Sequence, residues 1–219
     1  MRALNKKMTT WSYKNQENWC CETALLQSPI NIKTSDVISM QDAGLIQLSY
    51  SHTIDAIVDT GNVIQGFAHG TANINQRFFT LQQFHFHSHS EHLIDGIHTP
   101  LEIHFVHESQ SGRLAVLSVL AEIGEENETF QKILDNINLS KQIHHINLYD
   151  LLPTKSDYYH YLGSLTTPPL TENVEWYLFK QPIQVSLKQL MILRSHHKRN
   201  WRKTQPLNGR KVLLKEFHD

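Results

Sequence analysis

Cysteine is nearly absent from this 219-residue chain, which carries two, Cys20 and Cys21, side by side. Bridging neighbours strains the short ring they would close, so no disulfide framework is expected. The pair reads as free thiols, consistent with a reducing compartment. Glycine and proline are sparse, at nine and seven, and no linker, internal repeat or low-complexity run divides the chain. One domain is expected, within the length that a single all-β or mixed domain spans. No apolar run approaches the ~20 residues of a membrane span. The stretch up to Trp19 is basic and polar and lacks the apolar segment of a signal peptide. A cytoplasmic location is expected, or a periplasmic or secreted one if the start has been clipped. Neither sign of charge dominates, with 20 Lys and Arg against 21 Asp and Glu, so nothing draws the chain to nucleic acid or to a membrane surface. Charged residues at 19% and hydrophobic ones at 40% describe an ordinary globule with enough apolar surface for a core.

What the chain does have is histidine. Fifteen are present, and seven of them fall between Gln82 and His107. At strand period, Gln83, His85 and His87 share one face, with Phe84 and Phe86 on the other. After a polar connection, a second run puts Glu102, His104 and Val106 on one face and Ile103 and Phe105 on the other. If the two strands pair, the imidazoles of His85, His87 and His104 converge, backed by phenylalanine. Three neutral imidazoles with an open fourth position suit a catalytic zinc ion. Gln83 and Glu102 stand where they could accept the far imidazole N–H and fix its tautomer. Spacing leaves a plainer reading open, in which these histidines decorate a solvated sheet face. The other histidines of the stretch, His89, His92, His98 and His107, take solvated or capping roles by default, and His196 and His197 sit exposed in a basic run.

Around this stretch the pattern is mainly β. Residues 45–50, 54–58, 63–68 and 77–87 alternate or carry β-branched runs, broken by turns such as Asp59-Thr60-Gly61-Asn62. Leu101–His107 and Leu114–Glu122 continue the sheet, and Tyr158–Ser164 and Val174–Phe179 flank a Leu165–Pro169 loop. Asn127 caps a helix with Phe130, Ile133, Leu134 and Ile137 on one face. Ser186 and Gln189 form a capping box opening a helix to about Arg194. Residues 1–26 read as an arm whose Trp11, Tyr13 and Trp19 pack on the body formed by 27–219.

His85-Phe86-His87 followed by Glu91 also resembles the opening of a cupin metal motif. A cupin draws its last histidine from a later Gly- and Pro-marked hairpin, and no such second motif exists here. Gln27–Ile32 (QSPINI), Gln83–His87 (QFHFH), Ser90-Glu91-His92, Leu101–His107 (LEIHFVH), Gly163–Pro169 (GSLTTPP), Trp176 and Gln205–Arg210 (QPLNGR) resemble, in order, the α-class carbonic anhydrases. The likeness runs from about Trp11 to about Val212.

That resemblance implies a mainly β (α+β) single domain, with a large, mostly antiparallel twisted sheet and short peripheral helices. It implies a zinc lyase that hydrates CO2 reversibly to bicarbonate and a proton by attack of zinc-bound hydroxide, with side esterase activity and inhibition by sulfonamides or anions. His85, His87 and His104 would be the Zn2+ ligands, backed by Gln83, Glu102 and the carbonyl of Asn200. Thr166 and Glu91 would relay the proton that orients the hydroxide. Val106, Val116, Leu165, Val174 and Trp176 would form the CO2 wall, with Thr167 beside them. Cis peptides are implied before Pro29 and Pro169. A monomer or homodimer is expected. The rival is a non-catalytic carbonic anhydrase-related binding module, which keeps the fold but has lost zinc histidines.

Three departures stand out. Asn62 occupies the position of the histidine that shuttles protons in many members, and an amide does not titrate near neutrality. Leu170 follows TTPP where exported bacterial members place the partner of an upstream cysteine. His89 and Lys203 replace prolines common in bacterial members.

Overall fold

The computed structural model describes residues 11–19, 24–139 and 141–217; Cys20 and Cys21 lie outside them. The strands are β1 (Asn31–Ile32), β2 (Ile38–Ser39), β3 (Ile46–Asp59), β4 (Ile64–Ile74), β5 (Arg77–His87), β6 (Leu93–Ile94) and β7 (Leu101–Ser109). They continue as β8 (Leu114–Ile123), β9 (Ile143–His144), β10 (Tyr158–Ser164), β11 (Glu172–Phe179), β12 (Ile183–Val185) and β13 (Leu213–Lys215). The helices are short: α1 (Glu128–Leu134) and α2 (Leu187–His196). One sheet runs in the order β2-β13-β10-β11-β8-β7-β5-β4-β3-β9, with β12 added on β8, and a β1–β6 pair stands apart. Pairing within the large sheet is mostly antiparallel, with β8–β11, β8–β12 and β2–β13 as its parallel contacts, and the β1–β6 pair is parallel as well. This is the sheet-dominated architecture expected from the sequence, and the peptides before Pro29 and Pro169 are cis, as is Ser88–His89. Among the described residues no helix is long and apolar enough to cross a membrane.

Both helices start where the capping chemistry says they should. Asn127 Oδ1 accepts from the Phe130 N–H, and Ser186 and Gln189 complete a reciprocal capping box, satisfying amides that the first turn leaves unpaired. Helix α1 stops at Leu134, one turn short of the periodic pattern, while Ile137 still packs on the same core.

Two apolar layers result from the alternation. Phe84, Phe86, Ile103 and Phe105 join one core together with Phe130 of α1 and Leu190 and Leu193 of α2. Val106, Val116, Val174 and Trp176 join a second. A bulge at Gln82, where the β5–β7 register slips between Leu81 and Gln83, keeps this consistent. Strict alternation would put Leu81 on the histidine face; the extra residue turns Phe79 and Leu81 into the same core as Phe84. The β3 run, read from sequence as two strands, is one strand with its own irregularity between Tyr50 and Ala56.

Glu175 of β11 locks three parts of the sheet together. It accepts Arg77 Nη1 at 2.6 Å, Arg113 Nη1 at 2.8 Å and the Tyr177 hydroxyl at 2.7 Å. Burial alone would raise its pKa, but these donors hold it at about 2. A depressed carboxylate stabilises the fold above its unfolded value near 4.5, and that stability is lost as pH falls toward about 2. The two arginines are 46% and 47% exposed, which discounts the full shift to roughly 1–3 kcal/mol. Urea unfolding at pH 6 and pH 3 should therefore show a smaller acid loss in Glu175→Gln than in the parent. Equal losses would remove this role.

Candidate metal centre

Strand register assembles the site. On the β5–β7 pair His85 lies opposite His104, Gln83 opposite Val106 and His87 opposite Glu102. One ligand atom from each of His85, His87 and His104 lies within 4.8 Å of the others. His87 and His104 are fully buried and His85 is half-buried.

Each imidazole is held from behind. His85 Nδ1 donates to Gln83 Oε1 at 2.8 Å, His87 Nδ1 to the Asn200 carbonyl at 2.6 Å and His104 Nε2 to Glu102 Oε1 at 2.7 Å. A carbonyl or carboxylate oxygen can only accept, so the ring protons sit on the outer nitrogens. The inner nitrogens, His85 Nε2, His87 Nε2 and His104 Nδ1, therefore present three lone pairs to one point. His87 Nε2 is buried with no hydrogen-bond partner among the described residues, a state that costs free energy unless something else fills it. Burial lowers all three pKa values: His85 well below the usual imidazole range, His87 to about 4, and His104 downward as well. Three neutral imidazoles at neutral pH are the protonation state that a metal requires.

The donor set fits zinc. Nitrogens bound tetrahedrally at about 2.0–2.1 Å stand about 3.3 Å apart, and His104 Nδ1 lies 3.3 Å from His85 Nε2. With no proton between them, that approach is repulsive unless a cation sits beside it. A second cluster, His92, Glu102 and His104, also has its ligand atoms within reach of each other. There every atom is already used, because Glu102 accepts five donors. Its Oε1 takes His92 Nδ1 and His104 Nε2, each at 2.7 Å, and the Ser118 hydroxyl at 2.6 Å. Its Oε2 takes the Glu91 and His92 amides at 2.7 and 2.8 Å. Despite full burial these contacts hold Glu102 well below the usual carboxylate range. The first cluster is the one left open for a metal.

Glu91 stands on the other side. Its Oε2 is 3.5 Å from His87 Nε2 and its Oε1 accepts the Arg202 amide at 2.7 Å. Burial pushes its pKa up to about 7, against the lowering effect of His104 and of a hydrogen bond from Thr166. Thr166 is buried in the loop after β10. Val106, Val116 and Trp176 line up across β7, β8 and β11, Val116 being opposite both Val106 and Trp176. The Trp176 ring lies 4.9 Å from that of His104. Val174 is buried in the same layer, Leu165 packs on it, and Thr167 is half-buried at the rim. Asn62 is half-buried in the β3–β4 turn, its amide on the Thr60 hydroxyl.

Three histidines differ from the sequence reading. His92 is buried, not solvated; β6 pairs with β1 and draws the connection inward, so Nδ1 reaches Glu102 and Nε2 lies 2.7 Å from the Tyr161 hydroxyl. His107 is buried beside Tyr50, with Nδ1 donating to the Phe105 carbonyl and burial bringing its pKa to about 4. Alternation with Phe105 already places His107 on the core face, which is the signal that could have found it. His197 is half-buried rather than exposed, while His196 is exposed as expected; both contact the Asp59 carboxylate, at 2.8 and 3.2 Å. His89 and His98 are exposed as expected.

Distant motifs meet behind the site. Arg202 gives its guanidinium to Gln27 Oε1 and the Ser28 carbonyl, and Ser28 exchanges hydrogen bonds with Ser164. A Cβ on Gly163 would lie 2.1 Å from Ser28 Oγ, so this junction closes only on glycine.

The family model for eukaryotic-type carbonic anhydrase matches residues 6–216. The chain is 36% identical over 212 residues to the carbonic anhydrase of Pectobacterium carotovorum, across 93% of this chain and 85% of that one. It is 35% identical over 217 residues to the carbonic anhydrase of Klebsiella pneumoniae, again across 93% and 85%. Its fold superposes, with a TM-score of 0.87 and 35% identity, on the α-carbonic anhydrase from Thermovibrio ammonificans in complex with the inhibitor sulfanilamide, covering 93% of this chain and 98% of that one.

Proposed function

Since the chain belongs to the eukaryotic-type carbonic anhydrase family, the α class, we propose that His85, His87 and His104 hold the zinc ion at which it interconverts CO2 and water with bicarbonate and a proton. The observation that carries this reading is the convergence of three inward lone pairs whose ring protons are all tied outward. Zinc in such a site supplies a Lewis acid that brings the pKa of water to about 7, the value characteristic of carbonic anhydrases as a class.

The remaining residues divide the work. Gln83, Glu102 and the Asn200 carbonyl keep the imidazoles in the tautomer that faces the centre. Thr166, hydrogen-bonded to Glu91, accepts a hydrogen bond from the attacking oxygen and so aims its lone pair at the substrate. The Arg202 amide on Glu91 Oε1 holds the carboxylate in place for that task. CO2 carries no charge and no donor, so the layer of Val106, Val116, Leu165, Val174 and Trp176, with Thr167 at its rim, holds it without competing for hydrogen bonds. The same polarising centre would open activated esters and would accept sulfonamide or anion inhibitors. A non-catalytic binding module has no need of the Thr166–Glu91 pair beside a complete set of imidazoles.

Stopped-flow CO2 hydration with zinc analysis of the same sample tests the reading. Stoichiometric zinc and sulfonamide-sensitive hydration are expected, and zinc without hydration would overturn it. Proton export is the weak step, because Asn62 cannot titrate near neutrality. Turnover at low buffer concentration should rise with added imidazole, and Asn62→His should raise it by about tenfold or more while kcat/KM stays level. No response to either change would show that protons leave by another route.

A further inference from the structure

We propose that the pocket between the N-terminal turn (Tyr13–Asn18) and residues 199–205 binds a small, multiply charged oxyanion. The pocket has a volume of about 530 Å³, the size of a metabolite site rather than of a single halide. Three of its side chains, Lys14, Arg199 and Lys203, form no ion pair among the described residues, and Glu17 is the lone acid among those lining it. The walls are built and held. Gln16 donates to the Trp201 carbonyl at 2.9 Å and to the Tyr13 carbonyl at 3.1 Å, and accepts the Lys203 amide at 3.0 Å. The Arg199 guanidinium carbon lies 4.8 Å from the centre of the Trp201 ring, a cation–π contact that holds the charge near the pocket wall.

A buried donor belongs to the same wall. Trp19 Nε1 is buried with no hydrogen-bond partner among the described residues, and Trp19 lines the cavity, whereas the Tyr13 hydroxyl has Glu91 of the metal centre as its charged neighbour. An indole N–H can only donate, so an acceptor is what would satisfy it. Cations and an unpaired donor around a polar cavity select oxyanions such as phosphate monoesters or dicarboxylates. Tyr13 is also the wall shared with the metal centre, its ring lying 6.4 Å from that of His87.

The test is calorimetric titration of the zinc-loaded protein with glycerol 2-phosphate and, separately, succinate, at ionic strength held constant with chloride. Saturable binding of either is expected, and which one binds tells a phosphate source from a carboxylate one. Affinity should fall by about tenfold or more in Arg199→Ala/Lys203→Ala, with CO2 hydration and the unliganded thermal midpoint unchanged. Trp19→Phe, which removes only the N–H, should weaken binding several-fold and carries the test alone if the double variant loses stability. Absence of binding by both probes overturns the proposal. So does binding that survives these substitutions, since the anion would then sit elsewhere, at the metal.

Discussion

His104→Ala is expected to lose its zinc and to drop CO2 hydration by more than roughly 10³-fold. His104 is the imidazole that connects the two halves of the polar network. Its Nδ1 faces His85 at 3.3 Å, while its Nε2 is bound to Glu102. Alanine removes one of three ligand lone pairs and at the same time strands a buried carboxylate oxygen, so neither the metal nor its support survives. Elemental analysis and stopped-flow hydration, run on protein shown by circular dichroism to be folded, measure both effects. A variant that keeps full activity would mean that these three imidazoles are not the ligand set. The low pKa values of the imidazoles, about 4 for His87, also give the sign in acid. Burial lowers all three relative to a free imidazole, so proton competition for the metal sets in at lower pH than it would for exposed histidines. A zinc-release titration should be flat near neutrality.

Glu102 carries the second large effect. It is fully buried between β7 and the Glu91–His92 connection and accepts five donors from Glu91, His92, His104 and Ser118. Removing it by Glu102→Ala leaves all five unpaired in the interior, and unfolding in urea should show a loss of about 3–5 kcal/mol. Glu102→Gln keeps the shape, but its amide brings a donor into a ring of donors. His104 then loses the acceptor that fixes its tautomer, and zinc affinity measured by chelator competition should fall about 10–100-fold. Unchanged affinity in Glu102→Gln, with the fold intact, would reduce Glu102 to a purely structural role.

Much of the fold is legible in the sequence because it rests on local alternation. QFHFH and LEIHFVH each declare a polar and an apolar face, and their proximity in sequence makes them natural neighbours in an antiparallel sheet. The capping of both helices is legible for the same reason, since Asn127 and the Ser186–Gln189 box act within one turn. What alternation does not show is where it is interrupted. The bulge at Gln82 reverses the face of Phe79 and Leu81 relative to a strict period, and its cause is the packing of those side chains with Phe84 rather than any turn residue. The buried role of His92 escapes a local reading because its environment comes from elsewhere in the chain. Tyr161 meets it from β10, and the β1–β6 pairing that pulls it inward joins segments some sixty residues apart.

By itself, then, the sequence determined the sheet-dominated class, the family, and the face of β5 and β7 on which His85, His87 and His104 stand. Only the tertiary structure decided which nitrogen of each imidazole faces inward, because that choice is made by Gln83, Glu102 and a carbonyl 113 residues away at Asn200. It also decided that Val116 and Trp176 lie side by side, through a parallel pairing of β8 and β11 that no local turn specifies. Alternation is written within a strand, where the backbone forces successive side chains to opposite faces. Hydrogen-bond partners and parallel neighbours come from distant segments, and they are chosen only when the whole core closes.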